Sequence, residues 1–150
     1  MQSQISEVHD SFYELLIYES IEVLIERHQS LPLEKRKVQS LHKEIEEVGR
    51  TIGRKAIEVI SKDVAVKFQT QLDAMKFLCT EFWKYVFSKQ VDNLRTNNTG
   101  TFILNDDQFK FIARVSNNDM ESKEYKDKVR CYEMFVIGLI RGALLNMGFD

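Results

Sequence analysis

Proline is nearly absent from this 150-residue chain, with one in total, and there are only six glycines. So few breakers argue against a turn-rich all-β fold and for long helices. Cysteine is scarce too: Cys79 and Cys131 form no CxxC pair and are too few for a disulfide-stapled scaffold. Both are read as reduced, buried thiols. Neither sign of charge dominates, since 21 Lys and Arg stand against 23 Asp and Glu. That balance excludes a histone-like basic polymer and a disordered acidic tail. The basic residues Lys35, Arg36 and Lys37 are followed by Glu44, Glu46 and Glu47, so no dense phosphate-binding stripe forms and nucleic acid is not expected. No apolar run spans a bilayer; the longest, over 134–147, is short and contains Arg141. The first residues carry Glu7 and no basic residue, unlike a signal or transit peptide. The expectation is a cytoplasmic protein whose membrane contact, if any, is peripheral.

Motifs that carry chemistry are equally sparse. His9, His28 and His42 have no ligand-spaced partner that would make a metal site. There is no GxSxG elbow, no GxxxxGK[ST] loop and no GxGxxG after a strand. Asp106-Asp107 reads as a turn pair rather than a metal site. The Asn97-Asn98-Thr99 sequon carries no weight without a secretory signal. No catalytic residue, cofactor or metal is therefore assigned, and the pattern points away from an enzyme.

Apolar helix surface is what the chain has in quantity. A first helix is expected over 3–28, with Ile5, Val8, Phe12, Leu15 and Leu16 on one stripe and Tyr13, Ile17, Ile21 and Leu24 on a second. Together the stripes cover roughly 240°, wider than a helix packed on one core needs. Such a helix is covered on two sides, either by its own domain or by a second chain. Pro32 breaks it. A second helix follows over 38–61, with Leu41, Ile45, Val48, Ile52 and Val59 in its stripe and Gly49 and Gly53 one turn apart. Two glycines inside a helix cost about 1 kcal/mol each relative to alanine, which close approach of another backbone would offset. A third helix is expected over 69–94, apolar nearly all round its middle. The apolar run 101–104, the turn 105–107 and the alternating run 109–115 then read as a β-hairpin. Residues 116–128 read as a polar surface loop or the frayed first turn of a fourth helix, and that helix proper, over 129–147, carries Gly138 and Gly142. Nothing divides residues 1–150 into two domains.

The stretch from Leu72 to Phe109 resembles the small core subunits of the TRAPP vesicle-tethering complex, of the subunit-six type. The pieces that carry the resemblance are Lys76-Phe77-Leu78-Cys79 with Trp83, then Lys89-Gln90, Leu94-Arg95-Thr96-Asn97 and Gly100-Thr101. Gly138-Leu139-Ile140-Arg141-Gly142-Ala143-Leu144, and the pair Gly49 and Gly53, are similar to motifs of the wider Bet-type small-subunit family. The resemblance implies an α/β (α+β) fold, four main helices packed on one side of a small antiparallel sheet. It implies a heterodimer with a Bet-type small subunit through the first two helices. The residues assigned to that face are Phe12, Tyr13, Leu16, Ile17, Ile21 and Leu24 of the first helix, and Leu41, Ile45, Gly49, Ile52 and Gly53 of the second.

It also implies a non-catalytic scaffold in ER-to-Golgi and Golgi vesicle tethering, with other TRAPP subunits as neighbours. A Rab GTPase would be reached only indirectly, since nucleotide exchange belongs to the assembled complex. Some family members carry an acylated cysteine before the third helix; residues 61–68 contain none. Members of that family continue past the fourth helix into further strands, whereas this sequence stops at Asp150. A hairpin alone leaves strand edges exposed, so either the sequence is truncated or a neighbour supplies the missing pairing. The competing reading is a small-molecule or fatty-acyl-binding domain of a related fold, with Phe77, Phe82, Trp83 and Phe87 lining an apolar pocket.

Overall fold

Helix α1, Gln2–Gln29, and helix α2, Val38–Ile60, are joined by a short connection containing a 3₁₀ turn at Leu33–Lys35. The computed structural model describes residues 2–62, 68–97, 99–109, 111, 112, 115 and 120–149, with the side chains of α1 from Glu14 onward. Pro32 starts the connection, and its carbonyl accepts the Lys35 N–H at 2.8 Å. Helix α3, Gln71–Phe77, begins with a reciprocal cap: the Thr70 hydroxyl accepts the Asp73 N–H, and the Asp73 carboxylate accepts the Thr70 N–H, both at 3.1 Å. It runs through a π turn, Leu78–Phe82, into α4, Trp83–Phe87, making one continuous rod. Strands β1, Asn93–Thr96, and β2, Phe102–Asn105, pair antiparallel, with Leu94 opposite Leu104. Helix α5, Lys123–Asn146, completes the described elements. Four helical rods packed with a two-stranded antiparallel sheet make this an α+β fold, as expected.

The core is one apolar cluster to which α1, α2, the α3–α4 rod and α5 all contribute. Its fully enclosed members include Ile21, Ile45, Phe82, Tyr132, Phe135 and Leu139. Its tightest seam lies between α2 and α5. A Cβ added to Gly49 would sit 2.2 Å from the Phe135 carbonyl oxygen, and one on Gly53 2.1 Å from that of Leu139. The reverse holds as well: a Cβ on Gly138 would meet the Glu46 oxygen at 2.1 Å, and one on Gly142 the Arg50 oxygen at 2.0 Å. Each helix thus presses bare backbone against the carbonyls of the other, which offsets the propensity cost of four helical glycines. The Arg141 guanidinium pairs with Glu46 beside the seam.

Three expectations need correction. The third helix stops at Phe87, not Leu94, because Ser88 takes the left-handed conformation (φ 57°) and its N–H donates to the Lys84 carbonyl. The hairpin is displaced accordingly. Its strands are 93–96 and 102–105, turning through Asn97 and Gly100, and the run after Asp107 is not its second strand. Phe111 and Ile112 are helical instead, while Lys110, Ala113 and Arg114 lie outside the described residues. The four-position alternation was too short to establish period 2: Phe111 and Val115, four apart, are both buried, and the Val115 N–H donates to the Ile112 carbonyl at 3.1 Å. Phe111 inserts its ring among those of Phe87, Phe109, Tyr132 and Phe135, with centroids 5.4–6.2 Å apart in this group. Finally, α5 begins at Lys123 rather than Val129. The Ser122 hydroxyl caps it by accepting the Tyr125 N–H at 3.2 Å, and Lys123, Glu124, Lys126 and Asp127 are exposed in its first turns.

Asp106 is more than a turn former. It is nearly enclosed, accepting the Trp83 indole N–H at 2.8 Å and the Lys89 ammonium at 2.6 Å, so it clamps the hairpin base to the rod. Lys89 also reaches Asp92, whose carboxylate accepts the Asp107 N–H. These bonds hold Asp92 below the usual carboxylate range, the Lys89 bond foremost, and raise Lys89, chiefly through Asp106.

Cys79 and Cys131 are buried free thiols, each pushed up to about 11 mainly by burial. Both remain protonated and inert at neutral pH. An aromatic disulfide reagent is expected to modify neither within minutes on the native chain, and two per chain after denaturation. Because the folded values are raised, their contribution to stability is complete below pH about 9 and is lost as pH rises toward 11. Fast labelling of the native chain would contradict this.

Candidate partner-binding face

Helix α1 lies on α2 and α5 through its inner stripe. Ile21 is fully buried, Ile17 and Leu24 are half-buried, and Tyr18 stacks on Tyr132 of α5 with centroids 5.6 Å apart. Glu22 ties the pair together: its carboxylate accepts the Tyr132 hydroxyl at 2.7 Å and the Lys128 ammonium at 2.8 Å. Lys128 also sits 5.8 Å over the Tyr18 ring. Burial pulls the Lys128 ammonium down, but the Glu22 bond and charge outweigh it, leaving it raised. The Tyr132 hydroxyl is pushed above its ordinary range, by burial first and by Glu22 second.

Replacing Tyr132 by Phe should therefore cost about 2 kcal/mol, the value of a hydrogen bond to a charged acceptor, without loss of packing. Urea denaturation reads this out, and an unchanged midpoint would mean that the Glu22 bond does not hold α1 down.

The outer stripe faces away. Leu15 and Leu16 are 46% and 52% exposed, and Val23, two turns on from Leu16, is 58% exposed. Between this edge and α2 opens an apolar groove of about 100 Å³, lined by Leu16, Ile17, Ser20, Ile21, Leu24, Ile45, Val48, Ile52 and Phe135. Its single polar side chain, Ser20, spends its hydroxyl on the Leu16 carbonyl at 2.7 Å. Nothing here is arranged for catalysis, and among the described residues no cluster of His, Cys, Asp and Glu has the makings of a metal site. The surface suits an apolar side chain inserted from outside.

Of the eleven residues assigned to the face from sequence, six meet at this groove: Leu16, Ile17, Ile21, Leu24, Ile45 and Ile52. Leu41 is buried in the chain's own core. Gly49 and Gly53 are covered by α5 of the same chain. Phe12 and Tyr13 fall within α1, but their side chains lie outside the described residues. Sequence reasoning omitted Val48, Ser20 and Phe135 from the face. Val48 shares the helical face of Ile45 and Ile52 and was legible; Phe135 arrives from α5, and no local pattern announces it.

The aromatic residues of the competing reading fill the core. Phe82, Trp83 and Phe87 are buried, with Trp83 and Phe87 in contact at 4.5 Å, while Phe77 packs edge-on against Phe68 at 5.2 Å. None of the four lines the α1–α2 groove or the shallower one between Thr70–Leu72 and the hairpin.

Residues 13–150 match the family described as transport protein particle (TRAPP) component. Trafficking protein particle complex subunit 6B of human and of cattle is 42% identical over 104 residues, 69% of this chain and 63% of the relative. Human subunit 6A is 33% identical over 106 residues, 71% of this chain and 64% of the relative. The matched region thus spans somewhat under two thirds of these relatives' length. The chain belongs to the TRAPP component family, and within it the likeness is to the subunit-six type. Among the described residues no helix is long and apolar enough to cross a membrane.

Proposed function

We propose that this chain is a non-catalytic scaffold of a trafficking protein particle complex, and that the open side of α1 and α2 receives a Bet-type small subunit. The observation that carries the reading is the α1–α2 groove. It is apolar, six of its nine lining residues belong to the face expected from the sequence, and its rim residue Leu16 is half exposed. A partner side chain filling it would be desolvated on all sides, which is where interfaces concentrate their binding energy. Membership of the family supports the assignment to the complex, and the names of the similar subunits agree with it. On this reading the chain has no substrate and no cofactor. It acts in ER-to-Golgi and Golgi vesicle tethering by supporting assembly of a complex that exchanges nucleotide on a Rab GTPase. Its own place is cytoplasmic, and its recruitment to Golgi and ER-Golgi membranes is through that assembly.

The test is co-purification of the tagged chain, with the partners identified and stoichiometry measured by light scattering. A one-to-one core with a Bet-type subunit inside a larger particle supports the proposal. A stable monomer that captures no such subunit overturns it.

A further inference from the structure

The tip between α1 and α2 displays a second surface, of different character from the groove. Leu33 is 80% exposed and Val38 54%, and Leu31 stands beside them, so three apolar side chains project within eight residues. Lys35, Arg36 and Lys37 are exposed between them, and no carboxylate among the described residues pairs with any of the three. The only acid in the stretch is Glu34.

The tip is held open. Arg36 Nε donates to the Leu31 carbonyl at 2.7 Å, the Arg36 N–H to the Leu33 carbonyl at 3.2 Å, and the His28 ring meets the Lys37 carbonyl at 3.1 Å. A 3₁₀ turn fixed in this way cannot fold Leu33 back onto the core, and water gains nothing from its display.

We infer that this tip is a contact for an anionic membrane surface, with Leu33 entering the boundary between headgroups and acyl chains and Lys35, Arg36 and Lys37 meeting lipid phosphates. The shape selects this occupant. Leu33 protrudes and lines neither groove, whereas a peptide is received in a concave, partly apolar cleft. A bilayer interface accepts a protruding apolar side chain with cations on long aliphatic stems beside it. Charge adds to apolar insertion, since each basic residue near an anionic leaflet strengthens binding about fivefold. The contact is weak alone and fits a device that orients an assembly already at the membrane. It does not rest on the assignment of the α1–α2 groove, because Leu31, Leu33 and Val38 line no part of it.

The experiment is co-sedimentation of the full chain with phosphatidylcholine vesicles, with and without phosphatidylserine, at low and physiological salt. Binding is expected only to the phosphatidylserine vesicles and is expected to weaken with salt. Leu33→Ser should lower the partition constant about tenfold, and the double variant Lys35→Gln/Lys37→Gln about 25-fold. Both variants alter exposed positions, so circular dichroism and thermal midpoint should match the parent, and capture of a Bet-type subunit should be unaffected. Equal binding of parent and variants, or no binding to phosphatidylserine vesicles, overturns the inference. So does binding to soluble polyglutamate that depends on the lysines but not on Leu33, which would make the tip a site for acidic protein instead.

Discussion

Alanine at Gly142 is expected to lower the thermal midpoint by roughly 10 °C, corresponding to a net loss of about 3 kcal/mol. The added Cβ would stand 2.0 Å from the Arg50 carbonyl oxygen and 2.8 Å from its carbon. These are backbone atoms of a helix and cannot rotate aside, so α2 and α5 must separate by more than 1 Å before ordinary contact is restored. Separation would also undo the contacts of the fully buried Ile45 and Leu139, which close the same seam. The gain in helix propensity, about 1 kcal/mol, opposes this but is the smaller effect. Gly100 supplies the control. It has φ +95° and nothing within 4 Å of its added Cβ, so alanine there strains only a turn, at about 1 kcal/mol. Calorimetry of the two variants decides the matter, and equal midpoints would mean that the seam is not set by backbone contact.

Replacement of Leu16 by Glu should weaken capture of the Bet-type subunit at least a hundredfold while costing the fold less than about 1 kcal/mol. Leu16 is half exposed and sits at the groove rim, so the free chain can hydrate a carboxylate there. In the proposed complex that carboxylate would be trapped against apolar surface without a partner. Ile45→Asp would not be a fair substitute, because Ile45 is fully buried and a charge there would disrupt the chain itself. Tyr85→Glu, at an exposed apolar position on α4 that lines no part of the groove, should leave capture unchanged. Titration calorimetry against the purified partner gives both values. Undiminished affinity of the Leu16 variant would move the interface elsewhere.

The excess width of the α1 stripe was legible in the sequence. Tyr13, Ile17, Ile21 and Leu24 belonged to one stripe and Leu15 and Leu16 to another, and the fold uses the first of these inward, at Ile21, while exposing the second. Helical periodicity is local, so it survives in a single sequence. The glycine pairs were legible for the same reason: their cost announced that some backbone had to come close. Which backbone was not legible. Gly49 and Gly53 were assigned to a partner chain, yet they meet Phe135 and Leu139 of their own α5, some 85 residues later in sequence.

The hairpin shows the opposite limit. Residues 93–96 carry little strand propensity, and only Thr96 is β-branched. They become a strand because Ser88 ends the rod, Asp106 anchors the far end of β2, and the Val91 N–H finds the Cys79 carbonyl at 2.9 Å. Phe109 to Val115 looked more like a strand, but Phe111 and Ile112 are helical, with the Phe111 ring held in the aromatic cluster.

The sequence by itself determined the four helical rods, the scarcity of chemistry-bearing motifs, the buried thiols and the membership of a family. Each of these is written in composition or in periodicity over one or a few turns. Only the tertiary structure decided which glycine faces which carbonyl, which strand pairs with which, and which part of the apolar helix surface stays exposed. Those outcomes depend on residues far apart in the chain competing for the same space, and no local pattern records who wins.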